Sequence, residues 1–141
     1  MPVTMSRAER EAFLAGVHVA VLSVVVAEHS APLAVPVWYS YQAGGTVTVS
    51  TRRGSRKAAA IAAAGRFSLC AQDERPPYKY VTIEGPAVIE EIGLAERLAL
   101  ARRYLGADGG DAFIAANPGD DSDVAIRMTP EHWMTADFSR A

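Results

Sequence analysis

The 141-residue chain is predicted to be mainly β, an antiparallel barrel or sandwich with a few peripheral helices. Runs of β-branched and aromatic residues recur about six times along it. Short polar or glycine-containing turns separate them in hairpin order, and only three stretches carry helical signals.

Ser6-Arg7-Ala8-Glu9 has the Ser-x-x-Glu form of a capping box, with Phe13, Leu14 and Val17 as the apolar face of a first helix. Residues 17–27 (VHVAVLSVVVA) predict a strand and 28–32 a polar turn; 33–41 (LAVPVWYSY) predicts a second strand, with an edge or bulge at Pro36 because proline cannot donate to a ladder. After the Ala43-Gly44-Gly45 turn, residues 46–51 alternate so that Val47 and Val49 point inward. A loop at 52–54 leads into an alanine-rich helix over 55–64, closed by Gly65 in the left-handed C-cap position. Residues 67–72 and 78–92 predict two further strands across the rigid turn Asp73–Pro77, the second bent at Gly85-Pro86. Leu94, Leu98, Ala101 and Leu105 recur at helical spacing and predict an amphipathic helix over 93–105. The glycine- and aspartate-rich segment 106–123 reads as a mobile acidic loop and a possible substrate lid, and 124–138 as one or two closing strands broken near Pro130.

Length and composition fit one domain over residues 1–141, with 50% hydrophobic and 21% charged residues. A net charge of -2 argues against a general nucleic-acid binder, which carries a broad basic face. The single cysteine, Cys70, forms no internal disulfide and suits a reducing compartment; the 17–27 run is too short to cross a bilayer, so a cytoplasmic, non-membrane protein is expected. His18, His29 and His132 show no ligand pairing and the aspartates of 108–123 lack calcium-loop spacing, so no metal is expected.

Chemistry concentrates at VSTRRGSRKAAA, residues 49–60, where Arg52, Arg53, Arg56 and Lys57 crowd the start of a helix. A helix N-terminus carries partial positive charge, so cations there have the wrong sign unless an anion joins them. A solvated turn and contact with a nucleic-acid backbone are two readings, while a nucleotide P-loop is excluded because neither GxxxxGK[ST] nor GxGxxG occurs. The fourth is a phosphate pocket, in which Thr51 ends a strand, Gly54 lets the backbone turn closely, Ser55 offers its hydroxyl and N-H groups, and Arg56 and Lys57 add charge.

Thr51-x-x-x-Ser55-Arg56-Lys57-Ala58, following a β-branched strand and preceding FSLCA and a long strand with a central glycine, resembles the phosphate-binding signature of the pyridoxamine 5'-phosphate oxidase-like family. The resemblance spans roughly residues 10–138 in element order. It implies a six-stranded antiparallel split β-barrel with a few peripheral helices, binding FMN or the deazaflavin coenzyme F-420 at a homodimer interface. Carried over, it implies that Ser55, Arg56 and Lys57 hold the phosphate, that Ser50 and Thr51 line the approach, and that Val35, Pro36, Val37 and Trp38 lie along the ring. Where the oxidases have Arg-Gln at the start of the long strand this chain has Lys79-Tyr80, so Tyr80 stacks or donates its hydroxyl instead.

The chain stops at Asp137-Phe138-Ser139-Arg140-Ala141, without the basic C-terminal segment that grips pyridoxamine phosphate in the true oxidases, so another small organic substrate is expected. An Ala, Arg and Gly bias with only two lysines is typical of GC-rich actinobacterial genomes and tilts the cofactor toward the deazaflavin. The resemblance thus implies an oxidoreductase transferring hydride or electrons, with a non-catalytic flavin- or haem-binding carrier as the alternative. No residue stands out as an acid or base.

Overall fold

The structure, a computed structural model, describes residues 3–119 and 122–141. Helix α1 (Arg7–Ala15) begins with the expected capping box: Ser6 Oγ accepts from the Glu9 N-H, and the Glu9 carboxylate accepts from the Ser6 N-H at 2.8 Å. Gly16 ends it, so Leu14 is buried while Val17 lies beyond the helix and is exposed.

Eight strand segments follow: β1 (Ala20–Val24), β2 (Leu33–Val37), β3 (Ser40–Tyr41), β4 (Val47–Arg52), β5 (Arg66–Asp73), β6 (Lys79–Glu91), β7 (Asp123–Met128) and β8 (His132–Asp137). They exceed six because the 33–41 run breaks at Trp38-Tyr39 and the 124–138 run breaks at Thr129–Glu131. The order is β2-β1-β5-β6-β7-β4-β3, with β8 also on β6, all antiparallel and curled into a half-barrel. Pro36 sits on the edge strand β2, where its missing N-H leaves no gap in a ladder.

Long β6 joins the two parts of the curl. Its first half pairs with β5 and β8, and residues 87–91 pair with β7. The changeover is at Gly85, where the 129–131 corner crosses: the Thr129 N-H donates to Pro86 O at 3.0 Å, and the Glu131 N-H to Glu84 O at 2.9 Å. Any Cβ at Gly85 would collide with the Thr129 carbonyl oxygen.

Leu22, Leu69, Val81 and Ile83 from one part of the curl meet Val47, Val49, Ile126 and Met128 from the other, all fully buried. Each such side chain contributes about 1.5–3 kcal/mol through lost apolar exposure. Helix α2 (Arg56–Ala64) closes one end with Ile61 and stops at Gly65, φ 75°. Tyr39 crosses the core, and its buried hydroxyl donates to Leu14 O at 2.7 Å; burial pushes its phenol well above the ordinary value.

Helix α3 (Leu94–Ala116) departs most from expectation. Its backbone breaks at Gly106 (φ 80°), so residues 94–105 and 107–116 form a tight helical hairpin. The second half replaces the mobile acidic loop expected from sequence. A Cβ at Gly110 would lie 2.6 Å from the Arg102 backbone nitrogen, so the glycines that suggested a loop permit close helix-helix approach. Arg102 and Asp111 form an ion pair across the hairpin at 2.6 Å. The buried face of the first half is also shifted from the predicted stripe. Leu100 and Ala101 are buried whereas Leu94 and Leu105 are exposed, because Arg103 and Tyr104 turn inward to hydrogen-bond backbone carbonyls of Tyr39, Gly16 and His18. Asp120 and Asp121, part of the expected acidic loop, lie outside the described residues.

Candidate functional site

A cavity of about 880 Å³ opens between β2, the end of β4, the start of α2 and the α3 hairpin. Strand β4 ends at Arg52, whose carbonyl accepts from the Ser55 N-H at 3.1 Å and so closes a tight turn into α2. Ser55 is the N-cap: its Oγ accepts from the Ala58 N-H at 3.2 Å and lies 3.2 Å from Thr51 Oγ1. These contacts fix the loop, leaving the first N-H groups of α2 without helical partners.

Of the four clustered cations, Arg52 and Lys57 line the cavity, whereas Arg53 pairs with Glu91 at 2.8 Å. Arg56 is exposed and does not line it. Among the described residues, the side chains of Arg52 and Lys57 have no hydrogen-bond or ion-pair partner. Lys57 is half-buried, and desolvation pushes its ammonium below the ordinary 10.5. An uncompensated, partly desolvated cation beside a cavity is an arrangement that a bound anion stabilises.

Ser50, Thr51, Pro36, Val37 and Trp38 also line the cavity. The Trp38 ring stacks on Tyr104 at 5.0 Å between centroids and meets Phe113 at 5.3 Å. Val35, two positions before Val37 and on the same face of β2, is partly buried against the core and does not line the cavity. Gly54, Ser55 and Arg56 stand in or beside the loop without lining the cavity, and a Cβ at Gly54 would meet nothing within 4 Å. Tyr80 does not line it either; its ring lies on β6, 6.4 Å from Phe138.

Sequence reasoning missed the contribution of α3 and its exit: Arg97, Leu100, Phe113, Ile114 and residues 117–119, together with Asp123. A usable signal was present in Asp108 near a helix start, the apolar Phe113-Ile114 and the stop Asn117-Pro118-Gly119. None of the three histidines lines the cavity; His18 Nε2 donates to Phe13 O at 3.0 Å. Among the described residues no group of three or more His, Cys, Asp or Glu could hold a metal, and no helix is long and apolar enough to cross a membrane.

A curled antiparallel half-barrel with a cationic strand-to-helix loop at one cavity is a split-barrel architecture. The family model for pyridoxamine 5'-phosphate oxidase matches residues 6–136, and the chain belongs to that family. Similar solved structures include a conserved hypothetical protein of Mycobacterium tuberculosis (20% identity, 97% of this chain and 88% of that one, TM-score 0.77). Others are an F420 reductase (21%, 88% and 94%, 0.71) and an FAD-binding protein of Mesorhizobium loti (17%, 96% and 95%, 0.66). No curated protein matches.

Proposed function

We infer that the chain is a homodimeric oxidoreductase that binds FMN or coenzyme F-420 and acts on a small organic substrate. The observation carrying this reading is the pair Arg52 and Lys57, facing a cavity of about 880 Å³ without carboxylates of their own. The family match and similarity to proteins described as an F420 reductase and an FAD-binding protein support it. Such a cofactor, when bound, supplies the hydride chemistry. Lys57 and Arg52 hold its phosphate beside the first N-H groups of α2, while Pro36, Val37 and Trp38 lie along its ring and Leu100, Phe113 and Ile114 exclude water. The carrier alternative predicts reduced cofactor that no acceptor reoxidises; its haem form lacks a cavity histidine.

Titrating the protein with FMN and with coenzyme F-420 tests the reading. One of them is expected to bind with micromolar affinity or better, and absence of binding by both overturns it.

Affinity is also expected to depend on pH. The bound phosphate favours charged Lys57, so affinity is full below the free-protein pKa of Lys57 and is lost as pH rises through it. Because burial lowers that pKa, the loss begins earlier than for an ordinary lysine. Lys57→Arg, which keeps its charge, should remove this alkaline limb; an identical limb in the variant would assign the titration elsewhere.

The homodimer draws support from the outer face of the curl. Register places Pro36, Val21, Cys70, Thr82 and Met134 in one uncharged row across β2, β1, β5, β6 and β8. Val21 and Met134 are 42% and 59% exposed, and neighbouring Val19 is shared with the cavity lining. A second copy on this face would cover the apolar row and border the ring end of the site. Val21→Glu should turn a sedimenting dimer into a monomer and weaken cofactor binding. A wild-type protein that sediments as a monomer at micromolar concentration would exclude this assembly.

A further inference from the structure

The anion site depends on a carboxylate being kept out of it. Among the described residues lining the cavity, three are cations, Arg52, Lys57 and Arg97, and one is a carboxylate, Asp123. The β4–β7 register sets Asp123 directly across from Arg52. Side chains so placed have Cβ atoms about 4.5–5.5 Å apart, and opposite charges there ordinarily pair. Here they do not. Asp123 Oδ2 instead receives Arg97 Nε at 3.1 Å, with both side chains largely buried, at 15% and 13% exposure.

Arg97 is held in that role from the other side. Its two remaining nitrogens donate to Pro118 O and Asn117 O, each at 2.8 Å, so each of its three guanidinium nitrogens has a partner within the protein. The Gly119 backbone (φ 69°) passes so close that an added Cβ would lie 2.6 Å from Arg97 Nη1 and 2.5 Å from Asp123 Oδ2. The backbone around the pair thus leaves Asp123 committed to Arg97, while Arg52 and Lys57 remain without partners among the described residues.

We propose that Arg97 is a positioning residue of the anion site, binding Asp123 so that this carboxylate does not neutralise Arg52 and Lys57. The inference takes the anion-site reading above as its premise. Arg97 is not itself assigned a contact with ligand; it acts through Asp123. Without it, Asp123 faces a choice between remaining buried and unpaired or turning to the cations across β4, and the second is the cheaper. The cavity would then carry its own internal counter-ion, with which an incoming phosphate must compete.

The probe is inorganic phosphate, its dissociation constant measured by phosphorus NMR for wild type, Lys57→Ala, Arg97→Met, Asp123→Asn and the double variant Arg97→Met/Asp123→Asn. Arg97→Met should weaken binding about tenfold, a typical coupling for one close charge in a partly desolvated site. Asp123→Asn should bind phosphate at least as tightly as wild type, since it removes the competing charge and leaves Arg97 in place. The double variant should return to within about threefold of wild type, because the two changes act through one interaction.

A purely structural role for Arg97 predicts different signs. Asp123→Asn would then loosen Arg97 and the backbone at 117–119 and weaken binding, and the double variant would be as weak as Arg97→Met; either result overturns the proposal, as does unchanged affinity in Arg97→Met. If Arg97→Met proves too unstable to measure, the sign of the Asp123→Asn effect still decides. Lys57→Ala separates the premise from the inference: wild-type affinity in that variant, or no phosphate binding by wild type, overturns the anion site and the proposal with it. Loss in Lys57→Ala with no change in Arg97→Met overturns the Arg97 role alone.

Discussion

Lys57→Ala is expected to weaken binding of FMN or coenzyme F-420 by about 10- to 100-fold, the equivalent of one charge-assisted hydrogen bond of roughly 1.5–3 kcal/mol. The size follows from the surroundings of Lys57. It lines the cavity half-buried, desolvation already disfavours its charged form, and among the described residues no carboxylate compensates it. The bound phosphate is then its only strong partner. A fully solvated lysine would contribute far less, because water would replace the contact when the ligand leaves. The fold should tolerate the change, since removing an uncompensated, partly buried ammonium relieves a desolvation cost. The expected signature is a large rise in dissociation constant with an unchanged or slightly raised melting temperature. Arg56→Ala, at an exposed position off the cavity, is the contrasting variant and should have a smaller effect. Equal affinities for wild type and Lys57→Ala would remove the anchor on which the functional reading stands.

Gly85→Ala should be the most damaging single-methyl addition in the β framework. Its Cβ would collide with the Thr129 carbonyl oxygen and approach the Glu131 backbone nitrogen to 3.2 Å. These are backbone atoms, held by the ladder bonds that Thr129 and Glu131 donate to Pro86 and Glu84, so no side-chain rotation relieves the overlap. Relief requires moving the crossing at which β6 changes partner from β8 to β7, and hence separating the two parts of the curl. A loss of about 3 kcal/mol is expected, lowering the melting temperature by roughly 10 °C. Gly54→Ala supplies the control: a Cβ there meets nothing within 4 Å, and stability should change little. If the two variants melt together, the close crossing at Gly85 does not exist in solution.

The parts of this protein that could be read from its sequence are those whose causes are local. The capping box at Ser6 and Glu9, the left-handed stop at Gly65 and the edge position of Pro36 each follow from the stereochemistry of a few neighbouring residues, and each lies where expected. The cationic loop is local in the same sense, being one strand end, one turn and one helix start. Where several distant partners compete, the same reading fell short. The glycines at 106, 109 and 110 have low helical propensity, so they suggested a loop, yet the hairpin uses Gly106 for its positive φ and Gly110 for close approach to the Arg102 backbone. The stripe of α3 was misplaced for a related reason: Arg103 and Tyr104 turn inward because carbonyls of Tyr39, Gly16 and His18, more than 60 residues away in sequence, accept their hydrogen bonds.

By itself, then, the sequence determined most element types outside 106–116 and the presence of a concentrated positive charge at one helix entrance, because period, capping and charge spacing act within a few residues, while the family was legible in the resemblance of the Thr51–Ala58 motif. Only the tertiary structure decided which of those charges face a cavity, that Phe113 and Ile114 help enclose it, and that Asp123 pairs with Arg97 instead of Arg52. The choice between two salt-bridge partners depends on which groups share a buried space, and that is set by the packing of α3 against the sheet.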